Sequence, residues 1–174
     1  MKKHRGWIIL ALVAALVAAL AAAGIWLIGK VTAVYPGLGD PVSYPVNQVD
    51  GFALPIGEPS FSPFHGYTIV WKATADSDDV YYFICDGEAP NAFEFLERRV
   101  DGQWYRLAYT QNNFPYSTVE FALGGKESAA LAGSIVQKYD YYGTRLEAGT
   151  YRVVLEMRAS DGTPHYLAQE FEVS

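Results

Sequence analysis

The sequence predicts an antiparallel β-sandwich held behind a single transmembrane helix. Three observations predict it: an uncharged apolar run near the start, later segments whose apolar residues recur at every second position, and Asp-Gly pairs set between those segments.

Residues 7–28 read W-I-I-L-A-L-V-A-A-L-V-A-A-L-A-A-A-G-I-W-L-I, without one charge. At about 1.5 Å per residue such a helix reaches roughly 33 Å, enough for a hydrocarbon core of about 30 Å. A helix buried in a soluble core is rarely apolar on every face for so long. Lys2, Lys3 and Arg5 precede the run and Lys30 alone follows it. The positive-inside rule then leaves residues 1–6 in the cytoplasm and exports the chain beyond the span. Trp7 and Trp26 sit near the two ends, where indole rings favour the interface. Ala21, Ala22 and Ala23 offer small residues to a signal peptidase, but Gly24 to Ile28 carries the apolar run past them. A cleavable segment is usually about 7–15 residues long, so length favours an uncleaved anchor. The expected location is the cell membrane, single-pass, with the C-terminal domain extracytoplasmic.

Residues 29–50 read as a stalk. Pro36, Gly37, Gly39, Pro41 and Pro45 punctuate them, and such segments are semi-extended spacers. The body is expected over 51–174, entered by an irregular first strand around Phe52, Ala53 and Leu54.

From Gly66 the apolar period is two. Tyr67, Ile69, Trp71 and Ala73 alternate with Thr68, Val70, Lys72 and Thr74; Tyr151, Val153, Leu155 and Met157 alternate with Arg152, Val154, Glu156 and Arg158. Leu167, Phe171 and Val173 continue the pattern near the end. Such alternation turns one face to a core and the other to water. Val80 to Cys85 is apolar on both faces, as a central strand would be. Asp101-Gly102 and Asp161-Gly162 mark hairpin reversals, and the aspartates of 76–79 and Asp86-Gly87 mark two further turns. Residues 127–137 have a helix-like composition, but Gly133 weakens a helix, so a short helix and another strand both stand open. About seven strands are expected at sandwich spacing.

All 19 acidic residues lie beyond Lys30, against nine basic ones there. An acidic exported body excludes nucleic acid as a partner and disfavours anionic lipid surfaces. Cys85 is the only cysteine, so no intramolecular disulfide can form, and the default for it is a buried, inert thiol.

The segment R-R-V-D-G-Q-W-Y-R-L at 98–107 resembles the hairpin of a group of bacterial immunoglobulin-like domains. The segments at 146–157 (L-E-A-G-T-Y-R-V-V-L-E-M) and 166–173 (Y-L-A-Q-E-F-E-V) resemble that group's closing hairpin. The likeness runs over roughly 93–174, while 110–142 aligns poorly. The resemblance implies an immunoglobulin-like sandwich in an exported, membrane-tethered protein of Gram-positive type, and it brings no catalytic residues. Within it, Leu146, Gly149 and Tyr151 have the spacing of a tyrosine corner, in which the hydroxyl bonds back to upstream backbone. Trp71 and Trp104 are expected to fill the space between the sheets.

Signs of chemistry are few. His4, His65 and His165 have no metal-ligand spacing. Asp76, Asp78 and Asp79 have the acidic density of a calcium loop but not its pattern, and a solvated turn is the plainer reading. Gly124-Gly125-Lys126 lacks the spacing of a phosphate loop, and G-x-S-x-G, S-x-x-K and H-E-x-x-H are absent. No cofactor is expected. Tyr139, Tyr141 and Tyr142 form an aromatic cluster suited to contacting sugars or proteins, although tyrosine is also common in strands for its own sake. The leading expectation is a non-enzymatic surface module that contacts a protein or the cell wall. The alternatives are a small exported hydrolase using acidic residues, and a regulatory or sensor subunit whose helix pairs with a larger membrane protein.

Overall fold

The computed structural model describes residues 2–32, 37–62, 66–85, 94–107, 119–125, 130–137 and 146–174. Helix α1 covers Lys2–Thr32, and its stretch Ala11–Ile28 is long and apolar enough to cross a membrane. None of that stretch is buried in the protein. Leu12, Leu16 and Leu20 are each more than half exposed, a surface that water disfavours and lipid accepts.

Eleven strands follow among the described residues: β1 Leu38–Val42, β2 Phe52–Ala53, β3 Ser60–Ser62, β4 Gly66–Ala75, β5 Val80–Cys85, β6 Glu94–Val100, β7 Gln103–Leu107, β8 Val119–Gly124, β9 Ala130–Gln137, β10 Gly149–Arg158 and β11 Pro164–Val173. All their pairings are antiparallel. The larger sheet has seven strands, with β10 as its hub. β11 lines one flank of β10 along its whole length, from Gly149–Val173 to Arg158–Pro164. On the other flank lie β6, then β7, then β1. β5 meets β10 only at Tyr82–Arg158, and the β5–β8 ladder diverges from there. The smaller sheet has β4 at its centre, with β9 along one side and β2 and β3 along the other. The two sheets do not close on each other.

Both Asp-Gly pairs reverse the chain. Asp101 (φ 50°) and Gly102 (φ 82°) join β6 to β7, with Val100 facing Gln103. This double positive φ is what a two-residue hairpin requires. Around Asp161-Gly162, Ala159 and Thr163 close a longer loop, and the Thr163 N–H donates to Asp161 Oδ1 at 2.8 Å. That hydrogen bond holds the Asp161 carboxyl below its ordinary pKa. Residues 130–137, open between helix and strand in the sequence, form β9 against β4.

The period-two residues meet where alternation directs them. Ile69, Trp71 and Ala73 of β4 face Tyr151, Val153, Leu155 and Met157 of β10, with Phe83, Leu96, Leu107, Leu123 and Leu167 filling one core between the sheets. Burial of each large side chain contributes about 1.5–3 kcal/mol.

Two expectations change. Part of the segment read as a stalk is built into the body: β1 pairs with β7, from Leu38–Leu107 to Val42–Trp104, and residues 44–49 pack onto the sheets. A Pro-rich stretch can serve as an edge strand, because its missing N–H groups fall where no ladder needs them. Trp104 does not join the main core. It shares the opposite face of β7 with Arg106, while Leu107 points inward.

Candidate binding surface

Alternation places Phe95, Glu97, Trp104, Arg106, Arg152, Val154, Tyr166 and Ala168 on the outer face of the larger sheet. Water should cover these positions, yet several are buried. Glu97 is 0% exposed and Arg152 5%. What covers them is the chain just after β1. Tyr44 stacks on Tyr166 with ring centroids 3.8 Å apart, and Val46 packs on Phe95, Val154 and Ala168. Asn47 clips the edge of β11. Its backbone N–H donates to Tyr166 O at 2.8 Å, its amide nitrogen donates to Ala168 O at 3.0 Å, and the Ala168 N–H donates to its amide oxygen at 2.8 Å. Asn47 has φ 56°, a conformation that asparagine tolerates better than most residues.

Beneath this strap lies a polar network. Arg152 Nε donates to Glu97 Oε2 at 2.6 Å, and its Nη2 stands 2.6 Å from the same oxygen. The Tyr44 hydroxyl donates to Glu97 Oε1, and Arg106 Nη2 donates to the Tyr44 oxygen at 3.2 Å. The Arg152 guanidinium lies 4.3 Å from the Trp104 ring centre, and that of Arg106 lies 3.6 Å from the Phe95 ring centre. Burial, followed by the hydrogen bond to Glu97, pushes the Tyr44 phenol well above its ordinary pKa. Burial works against the Arg106 charge, but Tyr44, Glu97 and Glu156 outweigh it and raise its pKa.

Further along the same sheet, where β5 diverges from β10, a shallow groove of about 400 Å³ opens. Tyr82 and Ile84 of β5, Glu120 of β8, Arg158 of β10 and the turn residues Ala159, Ser160 and Gly162 line it. Arg158 Nη2 lies 3.2 Å from Glu156, and its side chain is half exposed. The groove thus offers an aromatic ring, a cation and a carboxylate to something lying on the surface.

The residues singled out in the sequence fall in several places. Trp71 is buried in the core, and its indole N–H donates to Glu94. The Tyr151 hydroxyl donates to Glu147 O at 2.8 Å, four residues upstream, and Gly149 (φ 151°) gives the preceding turn its freedom. Asp76, Asp78 and Asp79 lie on the turn from β4 to β5. Its backbone is already engaged, since the Asp76 N–H donates to Gly51 O and the Gly125 N–H to Ser77 O. Among the described residues no group of three or more His, Cys, Asp or Glu is placed to hold a metal ion. Tyr139, Tyr141 and Tyr142, with His65, lie outside the described residues. The outer-face network went unread in the sequence because Glu97 and Arg152 occupy positions where alternation expects ordinary solvated charges. The available signal was Tyr44-Pro45-Val46-Asn47, too apolar for a plain spacer.

Fold and surface together define a protein with one N-terminal helix long and apolar enough to cross a membrane, a two-sheet antiparallel β body and a strapped outer face. Compared with known proteins, the chain matches no family model and no curated sequence.

Proposed function

We propose that this chain is a non-enzymatic, single-pass membrane protein whose immunoglobulin-like body stands outside the cell and contacts a protein or the cell wall. The observation that carries this reading is the open groove beside the 159–162 turn, on a body joined to an apolar helix. A shallow, mixed-polarity surface suits the contact of an extended partner better than the enclosure of a small substrate. The two buried glutamates among the described residues support the same reading. Glu94 accepts from Trp71, and Glu97 accepts from Arg152 and Tyr44, so both have structural partners. The charge flanking the helix supports a cytoplasmic N-terminus.

The test has two arms. A tag after Ser174 on intact cells should be accessible to a membrane-impermeant label, and accessibility only after permeabilisation would reverse the orientation. Sedimentation of the full chain with purified cell-wall material, and capture of envelope proteins, should fall in Arg158→Ala and Glu120→Ala variants. Unchanged capture in both would remove the groove from the proposal.

A further inference from the structure

We propose that residues 38–47 form a detachable strap, which lifts from the outer face of the larger sheet while the two-sheet core stays folded, and so gates the Glu97–Arg152 face. The argument rests on how the strap is held and where it sits in the chain.

Its attachment lies outside the main core: the Asn47 clip, the Tyr44–Glu97 and Arg106–Tyr44 hydrogen bonds, the Gln103 Nε2–Val42 O hydrogen bond at 2.7 Å and the Tyr44–Tyr166 stack hold it to the larger sheet. β1 pairs with β7 at only Leu38–Leu107, Pro41–Tyr105 and Val42–Trp104, with a register break between Leu38 and Pro41. Pro41 and Pro45 have no N–H to give to a ladder. The apolar contacts of Tyr44 and Val46 go to the small cluster of Phe95, Val154 and Ala168, which is separate from the main core. The first residue of this stretch to pack on the main core is Val49. Lifting residues 38–47 therefore removes no buried residue of the main core. Segments with few buried apolar contacts are the ones that open below the free energy of global unfolding. Gln48, whose side chain bonds only to Val46 O among the described residues, precedes Val49 and suits a hinge.

The strap is also the covalent link between helix and body. Thr32 ends α1 and Leu38 begins β1, so any displacement of the body relative to its anchor acts on β1 before it acts on the core. Once lifted, the strap uncovers two guanidinium groups, Arg106 and Arg152, beside Glu97 and the rings of Trp104 and Tyr166. It also leaves the backbone edges of β7 and β11 open. That combination recognises an extended peptide, the kind of chain it now holds.

Native-state hydrogen exchange on the full chain in lipid nanodiscs, at rising sub-denaturing guanidinium, tests this directly. The expected result is that the Asn47 and Ala168 amides exchange faster than those of Val153 and Leu155, by an opening that depends little on denaturant. Asn47→Gly keeps the positive φ but removes the amide clip. It should speed Ala168 exchange roughly tenfold, equivalent to about 1.4 kcal/mol, since that amide loses its acceptor on Asn47, and leave Val153 and Leu155 within about twofold. A single denaturant dependence shared by strap and β10 amides would overturn the proposal. So would an Asn47→Gly variant that accelerates both sets equally. This readout follows opening alone, so unchanged partner capture in the groove variants would leave it standing.

Discussion

Breaking the Glu97–Arg152 pair from one side should cost far more than replacing it whole. Both side chains are almost sealed, at 0% and 6% exposure, and both guanidinium contacts are at 2.6 Å. Glu97→Leu leaves a buried guanidinium facing a leucine, and Arg152→Met leaves a buried carboxylate with the Tyr44 hydroxyl as its donor. An uncompensated buried charge of this kind costs about 3–5 kcal/mol. For a body of this size, at roughly 4 °C per kcal/mol, each single variant should melt some 12–20 °C below the parent. The double variant replaces both charges with apolar groups of similar volume and should fall within about 1 kcal/mol of the parent or above it. Thermal unfolding followed by near-ultraviolet circular dichroism, on the full chain in nanodiscs, measures all four corners of the cycle. Single losses below about 1 kcal/mol that add in the double variant would refute the reasoning, since they describe an exposed pair.

Three further outcomes are expected. Tyr44 has a raised folded pKa, so its contribution is complete below the ordinary phenol value near 10 and is lost as pH climbs toward the folded value; stability measured from pH 9 to 12 should therefore fall less steeply in Tyr44→Phe than in the parent. Gly124→Ala places a Cβ 2.1 Å from Asp79 O at φ 100°, and overpacking with positive-φ strain should cost roughly 2–5 kcal/mol, whereas Gly102→Ala at φ 82° meets open space and should cost only about 1–2 kcal/mol by denaturant unfolding. Tyr151→Phe removes the hydrogen bond to Glu147 O and should lower unfolding free energy by about 0.5–1.5 kcal/mol.

What could be read in advance follows from periodicity. Ile69, Trp71, Val153 and Leu155 lie in the core because a pleated strand sends alternate side chains to one side, and this needs no tertiary information. Asp101-Gly102 reverses the chain because its backbone preference is local. The strap could not be read this way. Its place depends on a pairing across more than sixty positions, Val42 with Trp104, and on an Asn47 side chain reaching a strand edge near the C-terminus. The sequence reading places Trp104 between the sheets. The strand's parity, fixed by Leu107 pointing inward, sends it to the arginines on the outer face instead.

Burying a charged pair under a strap also makes physical sense of an arrangement that adds little net stability. Leucine and methionine in place of Glu97 and Arg152 would hold a closed face equally well. If the strap lifts, however, that face must tolerate water. An apolar surface beside the open edges of β7 and β11 would invite association between copies. Charges make the uncovered face soluble, at the expense of desolvation when it closes. The apolar double variant should therefore resemble the parent while the strap is held, and differ from it once Asn47→Gly loosens the clip. Size-exclusion chromatography of detergent-solubilised full chain should show higher oligomers for the triple variant and a parent-like peak for Asn47→Gly alone. Equal elution of the two would mean that the face never meets solvent, and the ion pair would then need another explanation.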